Sequence, residues 1–324
     1  MKVFLTGGTG MLGRAVRNRL EASNHKVFSF GSKDFDLVDD PHKVIKKLYL
    51  VNPDVVVHCA GTVGGVKANI ESPATFLREN LLMGMNLLQG MAEAGVKRII
   101  NIGTNCSYPD PEHTLNAMKE RDLWNGKPHW THAPYGLAKR MVMEACESYK
   151  NQYGIDHLTL CVANIYGPGA TYDKNRSHVI PGLVRLFVEA REKRYKSVTL
   201  WGTGESSRRF LFVEDAARAV EMFLEKKMIE NVINVVSSTR TKISELAELI
   251  SDKVGYQGEI LWDKTNPDGQ WSREIDGSLA HFYGWEERVR IQDGIETVIE
   301  DYERTQLAVA LNTHESCQSL YFFF

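Results

Sequence analysis

Residues 2–13 read Lys2-Val-Phe-Leu-Thr-Gly-Gly-Thr-Gly-Met-Leu-Gly13, a short apolar run followed by closely spaced glycines. The run predicts a buried β-strand over residues 2–6, and the residues from Met11 to Ala22 predict a helix. Glycines at such a turn let the backbone approach a pyrophosphate, which the free N–H groups of the helix N-terminus can bind. The stretch therefore predicts a dinucleotide site, formed by Gly7, Gly10, Met11, Leu12 and Gly13.

Short β-branched runs alternate with helical patterns through the first half of the chain. This alternation is typical of an α/β fold of Rossmann type, a doubly wound parallel sheet with helices on both faces. The alternation ends after the Gly/Pro-rich stretch at 164–169, which predicts a smaller C-terminal α/β substrate domain. We expect the nucleotide-binding domain to span 1–165, rejoined by about 206–238, and the substrate domain to span 166–205 and 239–305. Residues 306–324 are expected to form a tail, to which we assign no role.

The composition excludes several classes of function. Lys and Arg number 39 against 41 Asp and Glu, a net charge of −2, so no global field favours nucleic acid or an anionic membrane. The five cysteines are odd in number and contain no Cys-x-x-Cys, which argues against a disulfide framework or a structural metal site. The apolar N-terminal run is too short for a signal peptide, and no run approaches the roughly 18 residues of a membrane span. We expect a cytoplasmic protein.

The end of the second predicted strand discriminates between the two nicotinamide cofactors. An acidic residue there would bind a ribose 2′-hydroxyl, whereas a basic residue would accept a 2′-phosphate. The strand ends Phe30-Gly-Ser-Lys33, with no carboxylate at that point. The Ser32 hydroxyl and Lys33 therefore favour NADP(H) over NAD(H), and Asp36 with Leu37 is the candidate for contacting the adenine.

Tyr135 and Lys139 are spaced i,i+4 on a predicted helix that begins at Pro134, so both side chains reach one face. The phenol can donate a proton to a carbonyl oxygen as a hydride arrives on its carbon, with the ammonium lowering the phenol pKa. Thr104 ends a predicted strand, and its hydroxyl can polarise the same oxygen. Cys106 follows two residues later, and hydride transfer needs no thiol. Its position suggests epimerisation next to the ketone as a second reaction.

These features resemble the extended, nucleotide-sugar branch of the short-chain dehydrogenase/reductase superfamily. Further segments are similar to the GDP-L-fucose synthase family, bifunctional epimerase/reductases of GDP-4-keto-6-deoxy-D-mannose, and the resemblance covers the chain to about residue 303. The segments are Val63-Gly-Gly-Val-Lys-Ala-Asn69, Cys106 with Tyr108-Pro109, Pro134 to Lys139, Cys146-Glu-Ser-Tyr149, Asn164-Ile-Tyr-Gly-Pro168, Ser177-His-Val-Ile-Pro181, Trp201-Gly-Thr-Gly204, Arg208 and Pro267-Asp-Gly269.

The resemblance implies roles for individual residues. Cys106 and His178 match the acid and base that invert C3 and C5 of the 4-keto sugar, groups that titrate near neutral pH. Tyr135, Lys139 and Asn164 are implied to contact NADP(H). The implied substrate contacts, to a GDP-sugar, come from Asn105, Arg185, Trp201, Arg208 and Arg273. The resemblance also implies a homodimer that converts GDP-4-keto-6-deoxy-D-mannose to GDP-L-fucose.

The chain departs from the family pattern at two places. Thr104-Asn105-Cys106 replaces the usual Ser-Ser-Cys, and Arg185-Leu186 stands where two consecutive arginines are common. A related GDP-4-keto sugar, a heptose or a dideoxy-hexose, with epimerisation or reduction alone, therefore remains an alternative. So does a non-catalytic NADP-binding regulator of the same fold. A 4,6-dehydratase is disfavoured because Asn105 and Cys106 offer no carboxylic acid near Thr104.

Overall fold

The computed structural model describes residues 1–110, 117–174, 176–265 and 274–310. The strands are β1 (Lys2–Thr6), β2 (Lys26–Phe30), β3 (Val55–His58), β4 (Arg98–Thr104), β5 (Asp156–Val162), β6 (Ile165–Tyr166), β7 (Ser197–Trp201), β8 (Ser207–Arg208), β9 (Leu211–Phe212), β10 (Val232–Val235), β11 (Thr241–Lys242) and β12 (Glu259–Asp263).

The helices alternate with these strands in the first half of the chain. They are α1 (Met11–Ala22), α2 (Pro41–Val51), α3 (Val66–Glu71), α4 (Pro73–Ala94), α5 (Ala133–Tyr153), α6 (Val179–Glu192), α7 (Val213–Leu224), α8 (Ile243–Val254), α9 (Ser278–Phe282) and α10 (Ile291–Ala310). Helix α10 continues into the segment predicted to be a tail, and residues from 311 onward lie outside the described part of the chain.

Six strands form the central sheet in the order β10-β5-β4-β3-β1-β2, and every pair in it is parallel. All four residues of β3 are buried, as expected for a parallel strand covered on both faces. The apolar run at 232–236 returns to this sheet as β10, which pairs with β5. The predicted Rossmann-type parallel sheet is confirmed.

Side chains of β1 alternate between the two faces of the sheet. Val3 and Leu5 belong to one core cluster, and Phe4 belongs to the other, because neighbouring residues of a strand point in opposite directions. Helices α1 and α7 pack together on the first face, and α4 packs against α2 and α5 on the second. The sheet is therefore covered on both sides, and its ligands must bind at an edge.

The C-terminal part of the chain adds small sheets beside the carboxyl edge of the main one. Strands β7 and β12 pair in parallel, β8 and β11 pair antiparallel, and β6 and β9 pair in parallel. Helix α6 packs against α8 and α10. This smaller α/β part was predicted from the change of pattern after residue 169. Among the described helices, none is long and apolar enough to cross a membrane.

Candidate active site

A cavity of about 1520 Å³ lies between the carboxyl edge of the main sheet and the C-terminal part of the chain. Ligand sites in proteins usually measure about 300–1,000 Å³, so this one has room for two extended ligands. The ends of β1, β2 and β4, the start of α5 and the loop before α6 all contribute to its lining. The cavity therefore collects residues that are far apart in the sequence, from Thr6 to Ile243.

The glycine loop after β1 forms one end of this cavity. Gly7 has a φ of 67°, and a Cβ on it would lie 2.6 Å from the Ala60 nitrogen, so no other residue fits. A Cβ on Gly13 would overlap the Gly7 carbonyl oxygen. Gly10 is the N-cap of α1, and Gly7, Gly10, Met11, Leu12 and Gly13 all line the cavity, as predicted. The bare backbone and the helix N-terminus fit a dinucleotide pyrophosphate.

The turn after β2 lines the neighbouring part of the cavity through Ser32, Asp36 and Leu37. Lys33 is exposed and is not part of the lining. The carboxylate of Asp34 accepts the Gly31 N–H at 2.7 Å, which closes the turn. Ser32 and Lys33 were both predicted to bind the 2′-phosphate of NADP(H), and of these two residues Ser32 is the one that lines the cavity.

Arg78 of α4 lines the cavity near this turn, and the sequence did not single it out. Its guanidinium lies 3.4 Å from the Asp39 carboxylate, and both side chains are more than half exposed. A long exposed arginine in the middle of a helix carries no sequence signal for binding. Its position supplies a positive charge in the region where Lys33 was expected to do so.

Thr104, Tyr135 and Lys139 meet where β4 ends and α5 begins. Tyr135 hydrogen-bonds Thr104, and the Lys139 ammonium, which is buried, donates to the Ile102 carbonyl oxygen at 3.2 Å. Burial raises the pKa of Tyr135 above its ordinary value, only partly offset by the Thr104 hydrogen bond. This direction is opposite to the lowering expected from Lys139. The phenol therefore stays protonated at neutral pH, the form that can donate a proton.

Burial lowers the pKa of Lys139 to about 8, because a buried ammonium loses its hydration. Lys139 lies close to Gly61 and to the Asn80 side chain, since a Cβ on Gly61 would come 3.4 Å from its Nζ and 3.1 Å from the Asn80 Oδ1. Tyr135 packs edge-on against Phe76, with ring centroids 6.2 Å apart. Both side chains are thus fixed by packing in one region of the cavity.

Cys106 lies in a short 3₁₀ turn, Asn105–Ser107, directly after β4. Its backbone N–H donates to the Thr104 hydroxyl at 3.1 Å, and its Sγ lies 3.8 Å from the Asn105 Oδ1. Both Cys106 and Asn105 line the cavity. Burial raises the pKa of the Cys59, Cys146 and Cys161 thiols to about 12. Cys106 is half-buried, the partial exposure that is typical of reactive cysteines.

His178 is the N-cap of α6 and lines the same cavity. Its side chain is accessible from the cavity, although protein atoms surround it, and this desolvation lowers its pKa below the ordinary value. The loop before it contacts the segment after β3, because Gly65 donates its N–H to the Arg176 carbonyl oxygen at 3.4 Å. His178 is thus held in the wall of the cavity that also contains Cys106.

The predicted substrate residues divide into three groups. Asn105, Trp201 and Arg208 line the cavity, as does the predicted cofactor residue Asn164. Arg185 does not: it is buried on α6 and donates to the Tyr172 carbonyl oxygen at 2.8 Å. Arg273 lies outside the described residues.

Several lining residues were missed by sequence reasoning. They are cationic side chains and the residues of one irregular segment. Neither group shows a periodic sequence pattern that would predict a binding site. The residues are Lys67, Arg78, Lys174, Arg176, His129, Trp130, Thr131 and His132.

Three comparisons place this site in a family. GDP-L-colitose synthase of Yersinia pseudotuberculosis is 32% identical over 91% of this chain and 96% of its own length. GDP-L-fucose synthase of Escherichia coli K12 is 32% identical over 91% of this chain and 94% of its own. A GDP-mannoheptose C4 reductase from Campylobacter jejuni, solved with NADP bound, superposes with a TM-score of 0.81 at 26% identity, over 93% and 98% of the two chains.

The family model for "NAD dependent epimerase/dehydratase family" matches residues 3–235. That range runs from β1 to the end of β10, so it contains the whole central sheet, the glycine loop, and the residues Thr104, Tyr135 and Lys139. The resemblance stated from the sequence is therefore confirmed, and the chain belongs to the NAD dependent epimerase/dehydratase family.

Proposed function

We propose that the protein is an NADP(H)-dependent enzyme that epimerises GDP-4-keto-6-deoxy-D-mannose at C3 and C5 and reduces C4, giving GDP-L-fucose. One observation carries this proposal: Tyr135, Lys139, Cys106 and His178 line a single cavity together with the glycine loop. The first two residues serve reduction and the second two serve inversion. The E. coli relative, a GDP-L-fucose synthase, supports the same product.

The cofactor would bind along the glycine loop, with its pyrophosphate at the N-terminus of α1. Ser32 and Arg78 line the part of the cavity after β2, where a hydroxyl and a guanidinium suit a 2′-phosphate. The NADP in the related C. jejuni reductase supports this choice. Bound NADPH would supply the hydride.

In the reduction, Tyr135 donates its phenol proton to the C4 oxygen, and the Thr104 hydroxyl donates a hydrogen bond to the same oxygen. Because burial keeps the phenol protonated, the donor is ready before the substrate arrives. Lys139 stabilises the tyrosinate that forms, since an ammonium in a desolvated site interacts strongly with a nearby anion. The ketone becomes a secondary alcohol at this step.

In the epimerisation, the C4 ketone acidifies the C–H bonds at C3 and C5. One member of the Cys106 and His178 pair takes a proton from carbon, the electron pair moves into an enolate, and the other member returns a proton to the opposite face. The lowered pKa of His178 keeps a neutral imidazole available at neutral pH. Inversion must precede reduction, because reduction removes the ketone.

The nucleotide end of the substrate would meet Trp201 and Arg208, and the cationic side chains of Lys174 and Arg176 add positive charge to the lining. A guanidinium binds a pyrophosphate through paired hydrogen bonds. Arg273 stays a proposed contact as well.

A related GDP-4-keto sugar is the second candidate substrate. The observation that favours it is the Asn105 amide, which lies beside Cys106 and adds a polar group to the cavity. The relative named for colitose synthesis is 32% identical to this chain, the same as the E. coli GDP-L-fucose synthase, and the heptose C4 reductase is 26% identical. A non-catalytic role is disfavoured, since the reductive residues Thr104, Tyr135 and Lys139 are all present.

The test is an assay of NADPH oxidation with GDP-4-keto-6-deoxy-D-mannose in deuterated water, scored for label at C3 and C5. Tyr135→Phe is expected to lower reduction by about 10²–10⁴-fold while label still enters the sugar. Cys106→Ser is expected to lose label, and Cys146→Ala, which removes a buried thiol away from the cavity lining, is the matched control. If the wild type neither oxidises NADPH nor labels this sugar or its GDP-4-keto relatives, the proposal is wrong.

We also propose that the protein is a cytoplasmic homodimer. Helices α4 and α5 pack side by side and expose Leu77 and Met141, at 40% and 47%, which suits burial against a second copy. Light scattering of the wild type should give a mass of twice the 36.6 kDa of one chain. Met141→Lys should lower the measured mass toward that of a single chain. A monomeric wild type, or a tagged protein found outside the cytoplasm, would contradict this proposal.

A further inference from the structure

Four aspartates lie in the loop that joins β2 to α2, residues 31–40. Three of their carboxylates accept backbone N–H groups and so fix the shape of the loop: Asp34 accepts from Gly31 at 2.7 Å, Asp36 from Val38 at 2.7 Å, and Asp40 from Lys43 at 2.9 Å. The carboxylate of Asp39 instead contacts a side chain from another element, the guanidinium of Arg78, at 3.4 Å. Asp39 and Arg78 both line the cavity, so this ion pair lies at its wall.

Contacts of α4 place Arg78 beside this loop. Asn86, about two turns further along the helix, donates to the carbonyl oxygens of Leu37 and Val38 at 2.7 and 3.1 Å. Helix α4 also packs against α2, which follows the loop. The position of Arg78 is therefore set by tertiary contacts between α4 and the loop, and not by the turn that carries Lys33.

The adenosine half of the cofactor fits against the same loop. Leu37 and Met83 are buried, line the cavity and offer an apolar surface for the adenine. With the pyrophosphate at the N-terminus of α1, the ribose between these two groups lies at the end of β2. Ser32 lines the cavity at this point, whereas Lys33 is exposed and outside the lining. The 2′-phosphate of NADPH would therefore lie near Ser32, on the side of the loop where Arg78 supplies a positive charge.

The contact between Arg78 and Asp39 is weak enough to be exchanged. Their side chains are 60% and 71% exposed, so water screens both charges. A phosphate carries more negative charge than a carboxylate and can accept paired hydrogen bonds from a guanidinium. The 2′-hydroxyl of NADH has no such charge, and a carboxylate such as that of Asp39 can accept its hydrogen bond. Arg78 therefore interacts differently with the two cofactors.

We propose, building on the function above, that Arg78 selects NADPH over NADH by exchanging the Asp39 carboxylate for the 2′-phosphate of the cofactor, and that Lys33 contributes little to this choice. With NADH the ion pair of Arg78 and Asp39 stays intact. With NADPH the guanidinium binds the phosphate, and the Asp39 carboxylate turns to water. The residue that determines specificity thus comes from α4, whereas the sequence pattern indicated the end of β2.

Binding of NADPH and NADH to the protein, without any sugar present, tests this proposal. Arg78→Ala is expected to weaken NADPH binding by about tenfold or more, because a charged donor to the phosphate is lost, and to change NADH binding by less than about twofold. Lys33→Ala should change the ratio of the two dissociation constants by less than about twofold. Lys43→Ala is the matched control for the loss of a positive charge, since Lys43 pairs with Asp40 at 2.9 Å and lies outside the cavity lining.

Asp39→Asn supplies a second prediction, of opposite sign. It removes the carboxylate that competes for Arg78 and repels the phosphate, so NADPH binding should tighten by about twofold to fivefold, while NADH binding should not tighten. The probe 2′,5′-ADP, which carries the 2′-phosphate but no nicotinamide, should follow NADPH in every variant. Added salt should weaken NADPH binding more than NADH binding in the wild type. This difference should shrink in Arg78→Ala, because screening acts on the contact between the guanidinium and the phosphate.

The proposal is overturned by a wild type that does not prefer NADPH, or by an Arg78→Ala protein that binds both cofactors more weakly to the same degree, since Arg78 would then have a structural role. It is also overturned if Lys33→Ala loses as much preference as Arg78→Ala, or if Asp39→Asn binds NADPH more weakly. A wild type that prefers NADPH, but neither oxidises it nor labels the GDP-4-keto sugars, would instead contradict the proposed function. The two failures are therefore distinguishable.

Discussion

Replacing Lys139 with methionine should make the protein more stable while it abolishes reduction. The Lys139 side chain is 5% exposed, and burial lowers its pKa from 10.5 to about 8. The ammonium therefore lies in a desolvated environment that destabilises its charged form. Methionine has similar length, fills the same space and carries no charge to desolvate.

The pKa shift sets the size of the effect. Lowering the pKa from 10.5 to about 8 costs about 3 kcal/mol of stability wherever the folded protein holds the ammonium charged. Methionine removes this cost but leaves the Ile102 carbonyl oxygen without its donor, a loss of about 1–2 kcal/mol. Lys139→Met should therefore raise the free energy of unfolding by about 2 kcal/mol at pH 7.

The stability gain of Lys139→Met over the wild type should shrink as the pH rises. Between pH 8 and 10.5 the unfolded chain binds more protons at Lys139 than the folded one, so the stability of the wild type rises with pH in that window. The cost of burying the charged Lys139 is fully present below pH 8 and has fallen by about 2 kcal/mol at pH 9.5. At pH 9.5 the wild type and Lys139→Met should therefore be about equally stable.

Urea unfolding at pH 7 and pH 9.5 measures this difference, with Lys150→Met on the same helix as the control for losing a lysine from α5. Reduction of the 4-keto sugar is assayed in parallel. A Lys139→Met protein that is less stable than the wild type at pH 7, or a difference that does not shrink at pH 9.5, would refute the reasoning.

Two further predictions concern stability. Gly95→Ala should cost about 1–2 kcal/mol of unfolding free energy for its positive φ alone, since nothing lies within 4 Å of a Cβ there. Gly169→Ala should cost more. Gly169 has a similar φ of 79°, and its Cβ would also displace the Arg14 guanidinium, which donates to the Thr9 and Gly169 carbonyl oxygens. Equal urea midpoints for the two variants would contradict this. Burial lowers the pKa of His58 to about 3, so the wild type should lose up to about 5 kcal/mol as pH falls from 6.5 to 3. His58→Asn should show a shallower loss between pH 6 and 4, and an unchanged slope would contradict that.

Local sequence signals predicted the parts of the site that lie within single elements. The glycine loop follows β1 directly, so a strand pattern and three glycines locate it. Tyr135 and Lys139 share one face of α5 because their spacing matches the helical period. Cys106 and His178 were assigned by resemblance to family motifs, and both line the cavity.

Positions that depend on long-range contacts could not be predicted in this way. Lys33 follows Ser32 directly, yet one faces the cavity and the other does not, because the direction of a side chain in an irregular turn is set by its tertiary contacts. Arg78 reaches the cavity from the middle of α4, and Thr131, which contacts His129, lies in a segment with no repeating pattern. Neither composition nor periodicity encodes these positions.

Arg185 lies outside the cavity lining, but hydrogen bonds connect it to a loop that does line the cavity. Arg14 donates to the carbonyl oxygens of Thr9, at 2.6 Å, and Gly169, at 2.9 Å, and so joins the glycine loop to the loop after β6. Asp301 fixes the loop after β6, because its carboxylate accepts the Gly169 N–H at 2.7 Å.

Asp301 also accepts the Tyr172 hydroxyl at 3.0 Å, and Arg185 donates to the Tyr172 carbonyl oxygen. The buried guanidinium of Arg185 therefore fixes the loop whose Gly169, Thr171 and Lys174 line the cavity. We expect the loss of Arg185 to shift these cavity residues, although Arg185 itself does not line the cavity. Arg185, which the family resemblance implied as a substrate contact, therefore holds the backbone of a cavity loop, and hydrogen bonds from Arg14 connect that loop to the glycine loop.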